Sequence, residues 1–179
     1  KMIAIENNIA IEFSEEAMEE ARALPTSVSE EDKKGRVDYT GKNVFSIDGA
    51  RTKDRDDALS IEINERGNYV VGVHISDVSH YVRPGTKLWE EALQRSTSVY
   101  MVDTVIPMLP HILSNGICSL NPGVDRLTLS CIMEVTPQGE VIDFDFVDCV
   151  INSNKAMTYE DVNVLLEQGE VPEDYEEFV

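Results

Sequence analysis

The sequence predicts an α+β fold, in which helices pack against a mixed, mainly antiparallel β-sheet. Several short apolar segments alternate with period two, and tight polar turns join them in pairs. Amphipathic segments with helix-capping residues stand at a few places rather than after every strand. Because strands and helices do not alternate regularly, a parallel doubly wound sheet is not expected.

The N-terminal part is predicted to hold one helix. Ser14 is a favourable N-cap, and Glu15 and Glu16 place negative charge at the positive end of the helix. Pro25 then ends the helix. The polar stretch 26–42 is expected to be a linker or an arm.

The main domain is expected to span residues 44–179, preceded by the helix and linker in residues 1–43. Its apolar alternation predicts two antiparallel hairpins, with turns near Gly67 and Gly139. The predicted strands cover residues 44–47, 59–63, 69–73, 127–135 and 141–151.

Two further helices are predicted in the main domain. Thr86 is the N-cap of one, and Thr158 with Asp161 resembles a capping box for the other, which ends near Gly169. The stretch 99–123 between them contains several prolines and glycines and is expected to be an irregular loop. The residues expected to face the core are Leu88, Trp89, Ala92 and Leu93 in the first of these helices and Val162, Leu165 and Leu166 in the second.

The formal net charge of −19 argues, taken alone, against a protein that binds nucleic acid. The acidic residues are concentrated towards both ends of the chain, however, so the middle is much less acidic. A metal-dependent phosphodiesterase also needs carboxylates at its reaction centre. Net charge therefore does not exclude a nuclease.

Cysteine usage and hydropathy predict a cytoplasmic protein that does not enter a membrane. Cys118, Cys131 and Cys149 form no C-x-x-C pair, so we expect buried or inert thiols rather than disulfides or a zinc site. No apolar run reaches the roughly 20 residues that cross a bilayer. Polar residues also interrupt the apolar N-terminus, which does not fit a signal peptide.

Four aspartates lie within ten positions in the stretch SIDGARTKDRDDALS, residues 46–60: Asp48, Asp54, Asp56 and Asp57. Pairing of the two flanking strands is expected to bring Asp48 and Asp57 together. Asp57 shares the parity of the apolar residues of the second strand, so we expect it to point inward. Two carboxylates about 5 Å apart repel by roughly 3 kcal/mol at an effective dielectric constant near 20.

Two interpretations of this cluster follow from its residues. In the first, it is a solvated loop whose charge is largely compensated by Arg51, Lys53 and Arg55. In the second, it binds hard divalent cations, because carboxylate oxygens suit Mg²⁺ and Mn²⁺. Paired metal ions of this kind serve many nucleases and phosphatases.

The order of the motifs resembles a known family. IDGARTKDRDDALSIE is followed by HISDVSHYV, TSVY, VIPMLP and LSNGICSL. Together these segments are similar to the catalytic domain of the ribonuclease II and ribonuclease R family. The likeness extends from about Val44 to the last helix, so residues 44–179 are expected to be the N-terminal part of such a catalytic domain.

The resemblance implies a processive 3′-to-5′ exoribonuclease that hydrolyses single-stranded RNA to nucleoside 5′-monophosphates with Mg²⁺, for which Mn²⁺ can substitute. The catalytic and metal-binding aspartates of the family fall on Asp48, Asp54, Asp56 and Asp57. By this likeness Asp48 and Asp57 hold the first metal ion, while Asp54 and Asp56 support a second ion and the attacking water. The tyrosine that stacks on a base near the RNA 3′ end falls on Tyr100.

The chain also departs from the family. The family's catalytic domain is much longer, normally lies between RNA-binding barrels, and has a downstream arginine and glutamate that are absent here. We therefore expect a truncated catalytic domain with little or no activity alone. Its expected partner is the 3′ end of single-stranded RNA, with other RNA-decay proteins or the ribosome as further partners of a full-length protein.

Two other functions remain open at this point. Asp54, Arg55 and Asp56 also match the D-x-D of a metal-dependent nucleotide-sugar transferase, although this explains only two of the four aspartates. Alternatively, the chain is an acidic interaction module that binds a basic partner. His74 and His80 are expected to be structural.

Overall fold

The fold is built around one curled β-sheet, as seen in a computed structural model that describes residues 6–7, 9–102 and 104–178. The sheet has seven strands, which in spatial order are β1 (Val37–Tyr39), β8 (Val141–Asn152), β7 (Asp125–Val135), β4 (Tyr69–Ser76), β3 (Asp57–Ile63), β2 (Val44–Asp48) and β9 (Lys155–Thr158). Strand β1 runs parallel to β8 and β9 parallel to β2, whereas the other neighbours are antiparallel. The mixed, mainly antiparallel α+β fold is thus confirmed.

The strands and helices have the following bounds in chain order. The sheet contains β1 (Val37–Tyr39), β2 (Val44–Asp48), β3 (Asp57–Ile63), β4 (Tyr69–Ser76), β7 (Asp125–Val135), β8 (Val141–Asn152) and β9 (Lys155–Thr158). A separate short hairpin consists of β5 (Val99–Tyr100) and β6 (Val105–Ile106). The helices are α1 (Glu15–Ala23), α2 (Val78–Tyr81), α3 (Lys87–Arg95) and α4 (Tyr159–Gln168).

The helix starts agree with the predicted caps. The hydroxyls of Ser14, Thr86 and Thr158 each accept a hydrogen bond from a backbone N–H three residues ahead, at 3.1–3.2 Å. Helix α4 ends at Gly169, whose left-handed backbone (φ +69°) favours glycine. These caps are local signals, which explains why the sequence identifies them correctly.

Two residues expected in the core are exposed instead. Leu93 in α3 is 60% exposed, and Leu166 in α4 is 76% exposed. Helix α3 buries only Leu88 and Ala92, and α4 has no buried residue because it lies at the margin of the sheet beside β9. The apolar face of each helix is therefore wider than the part of the helix that packs against the rest of the protein.

Two segments expected to be irregular contain regular structure. The expected linker 26–42 includes β1, which pairs with β8 far along the chain. The expected loop 99–123 includes the β5–β6 hairpin and a widened, π-type helical turn at Leu113–Ile117. Strand β1 was not predicted because its partner β8 lies far along the chain. Strands β5 and β6 have only two residues each, and the helical turn has five, so all three are too short for a periodic pattern.

The inward face of β3 is opposite to the one expected. Ala58 and Ser60 are buried, whereas Asp57 and Ile61 are exposed. At this level the buried His74 ring lies against Ser60, so little further space is left inside the curl. A Cβ added to Gly72, which pairs with Ser60, would lie 2.4 Å from the Ser60 hydroxyl oxygen.

The buried His74 is held by hydrogen bonds inside the curl. Its Nε2 lies 3.0 Å from the Ser60 hydroxyl, and its Nδ1 lies 2.8 Å from the Ser130 hydroxyl. The ring also contacts Tyr39 of β1, with ring centroids 5.6 Å apart. Burial lowers the pKa of His74 to about 4, so it is a neutral, structural residue at physiological pH.

The outer face of the sheet carries apolar side chains that are open to solvent. The strand register places these side chains on one face of the sheet, and this face includes residues of β3, β4, β7 and β8. Its exposed members include Ile61, Ile75, Leu129, Phe144 and Phe146. Within the described residues, no helix is long and apolar enough to span a membrane.

We predict that Gly72→Ala destabilises the protein. The added methyl would approach the Ser60 hydroxyl and lie 2.7 Å from His74 Nε2, so the free energy of unfolding should fall by about 1–3 kcal/mol. Urea unfolding measures this change. The matched control is Gly41→Ala, since no atom lies within 4 Å of a Cβ at that position. Equal stability of the two variants would contradict the tight interior.

We also predict an acid-dependent loss of stability from His74. Between pH 6.5 and about 4 the unfolded chain protonates this histidine while the folded protein resists protonation. The unfolded state therefore binds more protons, and the free energy of unfolding should fall by about 2–3 kcal/mol across this window. Urea unfolding at a series of pH values tests this. The pH dependence of His74→Gln should be flatter, and an unchanged dependence would refute the assignment.

Candidate functional site

The four aspartates lie where β2 and β3 separate. Asp48 is the last residue of β2 and Asp57 the first of β3, so Asp54 and Asp56 belong to the connecting loop. The paired register of β2 and β3 stops at Phe45, three residues before Asp48. The strands therefore diverge before the aspartates.

The observed register corrects the expected pairing of Asp48 with Asp57. If the register of β2 and β3 continued, Asp48 would face Asp56. Asp57 instead pairs with Ile75 of β4, and the carbonyl of Asp56 accepts a hydrogen bond from the Ser76 N–H at 2.9 Å. The end of the aspartate loop is thus fixed to β4 rather than to β2.

A distant segment fixes the middle of the aspartate loop. The Arg55 N–H donates to the Ser119 hydroxyl at 3.1 Å, and this hydroxyl donates to the Lys53 carbonyl at 2.8 Å. The Leu120 N–H donates to the Arg55 carbonyl at 2.9 Å. We call residues 119–121 the loop clamp, because they hold the backbone on both sides of Asp54.

The buried Arg126 supports the loop clamp from behind. Its Nε donates to the Ser119 carbonyl at 2.7 Å, and Nη2 donates to the Gly116 carbonyl at 3.1 Å. Nη1 donates to the carbonyl of Asp125 at 2.9 Å. One guanidinium thus ties the π-type turn and the loop clamp to the start of β7.

The electrostatics of the loop reflect the crowding of like charges. The surrounding protein partly desolvates Asp56 and raises the pKa of its carboxyl, and the negative charges of Asp54, Asp57 and Asp48 raise that pKa further. Arg55 offsets part of this charge, because its Nε lies 3.7 Å from Asp48 Oδ2. The four carboxylates therefore act on one another within one small region.

The donor set suits a hard divalent cation, although it is not gathered around one point. Carboxylate oxygens are the ligands that such ions prefer, and the buried Oδ2 of Asp48 has no hydrogen-bond partner. Across residues 6–7, 9–102 and 104–178, no three side chains of His, Cys, Asp or Glu stand close enough to hold an ion. Binding would therefore require side-chain rotation of the aspartates.

Two adjoining cavities open beside the loop. One, of about 530 Å³, is lined by Asp54 and Asp56 and by Pro107, Met108 and Leu109. The second, of about 660 Å³, contains Arg51, Lys53, Asp54 and Glu160. Tyr100 borders both cavities and is 72% exposed. The structure thus brings Tyr100, Asp54 and Asp56 to one open space.

Several residues around the site were not identified from the sequence. His111 borders both cavities, and Glu160 adds a carboxylate from α4. His111 directly follows the VIPMLP motif, which could have singled it out. Ser119 lies within the LSNGICSL motif, which could have singled it out in the same way. Glu160 and Arg126 stand in none of the quoted motifs and reach the site only through folding.

Asp77, together with His80 and two of the cysteines, which were expected to be structural, lies outside the aspartate loop. Asp77 caps α2 and forms an ion pair with Arg36, and His80 Nε2 lies 3.0 Å from Asp32 Oδ1. Burial raises the pKa of the Cys118 thiol to about 12. It also raises the pKa of Cys149, and neither thiol is in a disulfide.

Comparison with known proteins identifies a family for this region. The family described as the RNB domain matches residues 36–177. The chain is 52% identical over 167 residues to ribonuclease R of Thermotoga maritima, which covers 93% of the chain and 24% of the relative. It is 50% identical over 159 residues to ribonuclease R 1 of Lactococcus lactis, which covers 89% of the chain and 20% of the relative.

A solved structure has the same fold. Mycoplasma genitalium RNase R, in complex with ribose-methylated single-stranded RNA, matches with a TM-score of 0.88 at 30% identity. The match covers 96% of the chain and 27% of that protein. The chain thus spans about a quarter or less of the length of the relatives it matches.

We predict that the loop clamp depends on the Ser119 hydroxyl. Ser119→Ala leaves the Arg55 N–H without its partner, so the free energy of unfolding should fall by about 1–3 kcal/mol. Urea unfolding measures the fall, and hydrogen exchange at the Arg55 amide should accelerate. Ser114→Ala is the matched control, because the buried Ser114 hydroxyl has no hydrogen-bond partner. The clamp would be refuted if both variants exchanged equally at Arg55.

Proposed function

The chain belongs to the RNB domain family, and from this premise we propose that its protein is a 3′-to-5′ exoribonuclease of single-stranded RNA. The observation that carries the proposal is the position of the aspartate loop. Asp54 and Asp56 border an open cavity, and the exposed ring of Tyr100 borders the same cavity. Both features suit hydrolysis at an RNA 3′ end. The carboxylates can hold metal ions that neutralise the charge of the phosphate, and the aromatic ring can stack on a base.

We propose that the four aspartates bind two metal ions. Asp48 and Asp57 would hold a first divalent ion, and Asp54 and Asp56 would hold a second and orient the attacking water. Mg²⁺ is the proposed ion, with Mn²⁺ as a substitute, and it would supply activation of water and neutralisation of charge on the leaving oxygen. The unpartnered Oδ2 of Asp48 supports this assignment.

Tyr100 is proposed to stack on a base near the 3′ end. Its large exposed surface leaves the ring face accessible. Stacking of a base on an aromatic ring contributes roughly 1–3 kcal/mol and does not depend on which base is present. This fits an enzyme that removes every nucleotide in turn. Pro107, Met108 and Leu109, which line the same cavity, would form part of the wall of the RNA channel.

The remaining parts of the proposal concern the whole protein. The products would be nucleoside 5′-monophosphates, and the reaction would be processive. We propose a cytoplasmic location, with other RNA-decay proteins or the ribosome as further partners. We also propose that residues 1–43 lead into the catalytic domain and that residues 44–179 form part of it, too little for activity alone.

The test is the degradation of a 5′-labelled single-stranded RNA by the protein in its full natural length, with the 179-residue chain in parallel. We expect stepwise shortening from the 3′ end with Mg²⁺, and loss of this activity with EDTA. Asp56→Asn should reduce the rate by at least about a hundredfold, because it removes a charge from the metal site. Asp143→Asn, at an exposed position on β8, is the matched control and should retain activity.

A second substitution separates RNA binding from chemistry. Tyr100→Ala should weaken RNA binding by roughly tenfold or more through the loss of stacking. Tyr69→Ala, on the outer face of the sheet, should not. Intact RNA after incubation with folded, metal-loaded protein would overturn the proposal. Binding of a basic partner would then favour the acidic interaction module, and metal-dependent binding of a nucleotide sugar would favour the transferase.

A further inference from the structure

Arg55 has an unusual position among the cations near the site. It stands between Asp54 and Asp56 in the sequence, but its guanidinium turns back towards Asp48. The Arg55 and Asp48 side chains are only 17% and 19% exposed. Arg51 and Lys53 of the same loop are exposed. Arg55 is therefore the one of these three cations that is built into the structure.

The contact between Arg55 and Asp48 is an ion pair without a hydrogen bond. Arg55 Nε and Asp48 Oδ2 are both inaccessible to solvent, and neither has a hydrogen-bond partner. Their separation of 3.7 Å is too long for a hydrogen bond but short enough for a substantial charge interaction. The guanidinium thus offsets the charge of Asp48 while leaving its oxygen unsatisfied.

The guanidinium is also held in place. Arg55 Nη1 donates to Asn121 Oδ1 at 3.1 Å, and the Arg55 backbone is bound on both sides by the loop clamp. Asn121 itself donates to the Asn115 carbonyl at 3.2 Å. The side chain therefore cannot leave Asp48 freely when another cation arrives.

We propose that Arg55 is a resident counter-cation of Asp48, which stabilises the metal-free site and lowers its affinity for a divalent ion. This inference deepens the proposed function and rests on it. A fixed positive charge beside a ligand oxygen repels an incoming cation, and by linkage the same charge stabilises the site when no ion is bound. Arg55 thus sets the metal concentration at which the site fills.

The first test is a titration with Mn²⁺, in which electron paramagnetic resonance measures the Mn²⁺ that remains free. Arg55→Met should bind Mn²⁺ about threefold to tenfold more tightly than the original protein, because it removes the repelling charge. Arg55→Gln should bind Mn²⁺ equally tightly. It removes the positive charge but keeps a donor for Asn121, so it distinguishes the effect of the charge from the effect of losing that hydrogen bond. Arg51→Met, which changes the net charge equally at an exposed position, should leave the affinity unchanged.

The second test needs no metal. In EDTA, Arg55→Met should lower the melting temperature, and the loss should be much smaller in an Asp48→Asn background. Unchanged or weaker Mn²⁺ binding in both Arg55 variants would overturn the proposal, as would an equal loss of melting temperature in both backgrounds. If the original protein shows no saturable Mn²⁺ binding, the proposed metal site fails, and the melting comparison alone decides whether Arg55 neutralises Asp48.

Discussion

Repulsion among the carboxylates of Asp48, Asp54, Asp56 and Asp57 constrains the strands and the loop around the end of β2. Each close pair of such charges costs on the order of a few kcal/mol at an intermediate dielectric constant. Diverging strands reduce this cost, because the ladder between β2 and β3 ends before the aspartates begin. The Arg55 guanidinium reduces it further, and the loop clamp prevents the loop from relaxing into solvent.

The position of the loop depends in turn on packing inside the sheet. In the register of β3 and β4, which run side by side, Gly72 pairs with Ser60, and a side chain at position 72 would clash with Ser60 and the neutral His74. That register pairs Asp57 with Ile75 and places the Asp56 carbonyl against the Ser76 N–H. A glycine deep in the sheet therefore helps to determine where the acidic loop begins.

Local signals in the sequence were sufficient for much of the fold. Helix caps, turn glycines and period-two alternation act over a few residues, and the structure agrees with them at Ser14, Thr86 and Thr158. The inward face of β3 was predicted wrongly because large apolar residues normally mark the core, whereas here the His74 ring lies against β3 and leaves the inward positions to Ala58 and Ser60. Strands β1 and β9 were missed because each pairs in parallel with a strand that is not its neighbour in sequence.

Local sequence signals also identified part of the candidate site. The four aspartates and Tyr100 stand in contiguous motifs, so pattern and resemblance identify them without a structure. Their arrangement depends on contacts that no short motif contains. Ser119 meets Arg55 only when β7 brings Arg126 against the turn before it, and Glu160 reaches the cavity only when α4 folds beside β2.

The parallel pairing of β2 with β9 has a consequence for the order of folding. Loop closure over a long stretch of chain is entropically costly, so contacts between distant segments form late. Strand β2 carries Asp48 at its end, yet its outer neighbour is supplied by Lys155–Thr158. During synthesis the aspartates therefore emerge from the ribosome well before the strand that completes their sheet. The acidic loop is among the first parts of this chain to be made and among the last to be set in place.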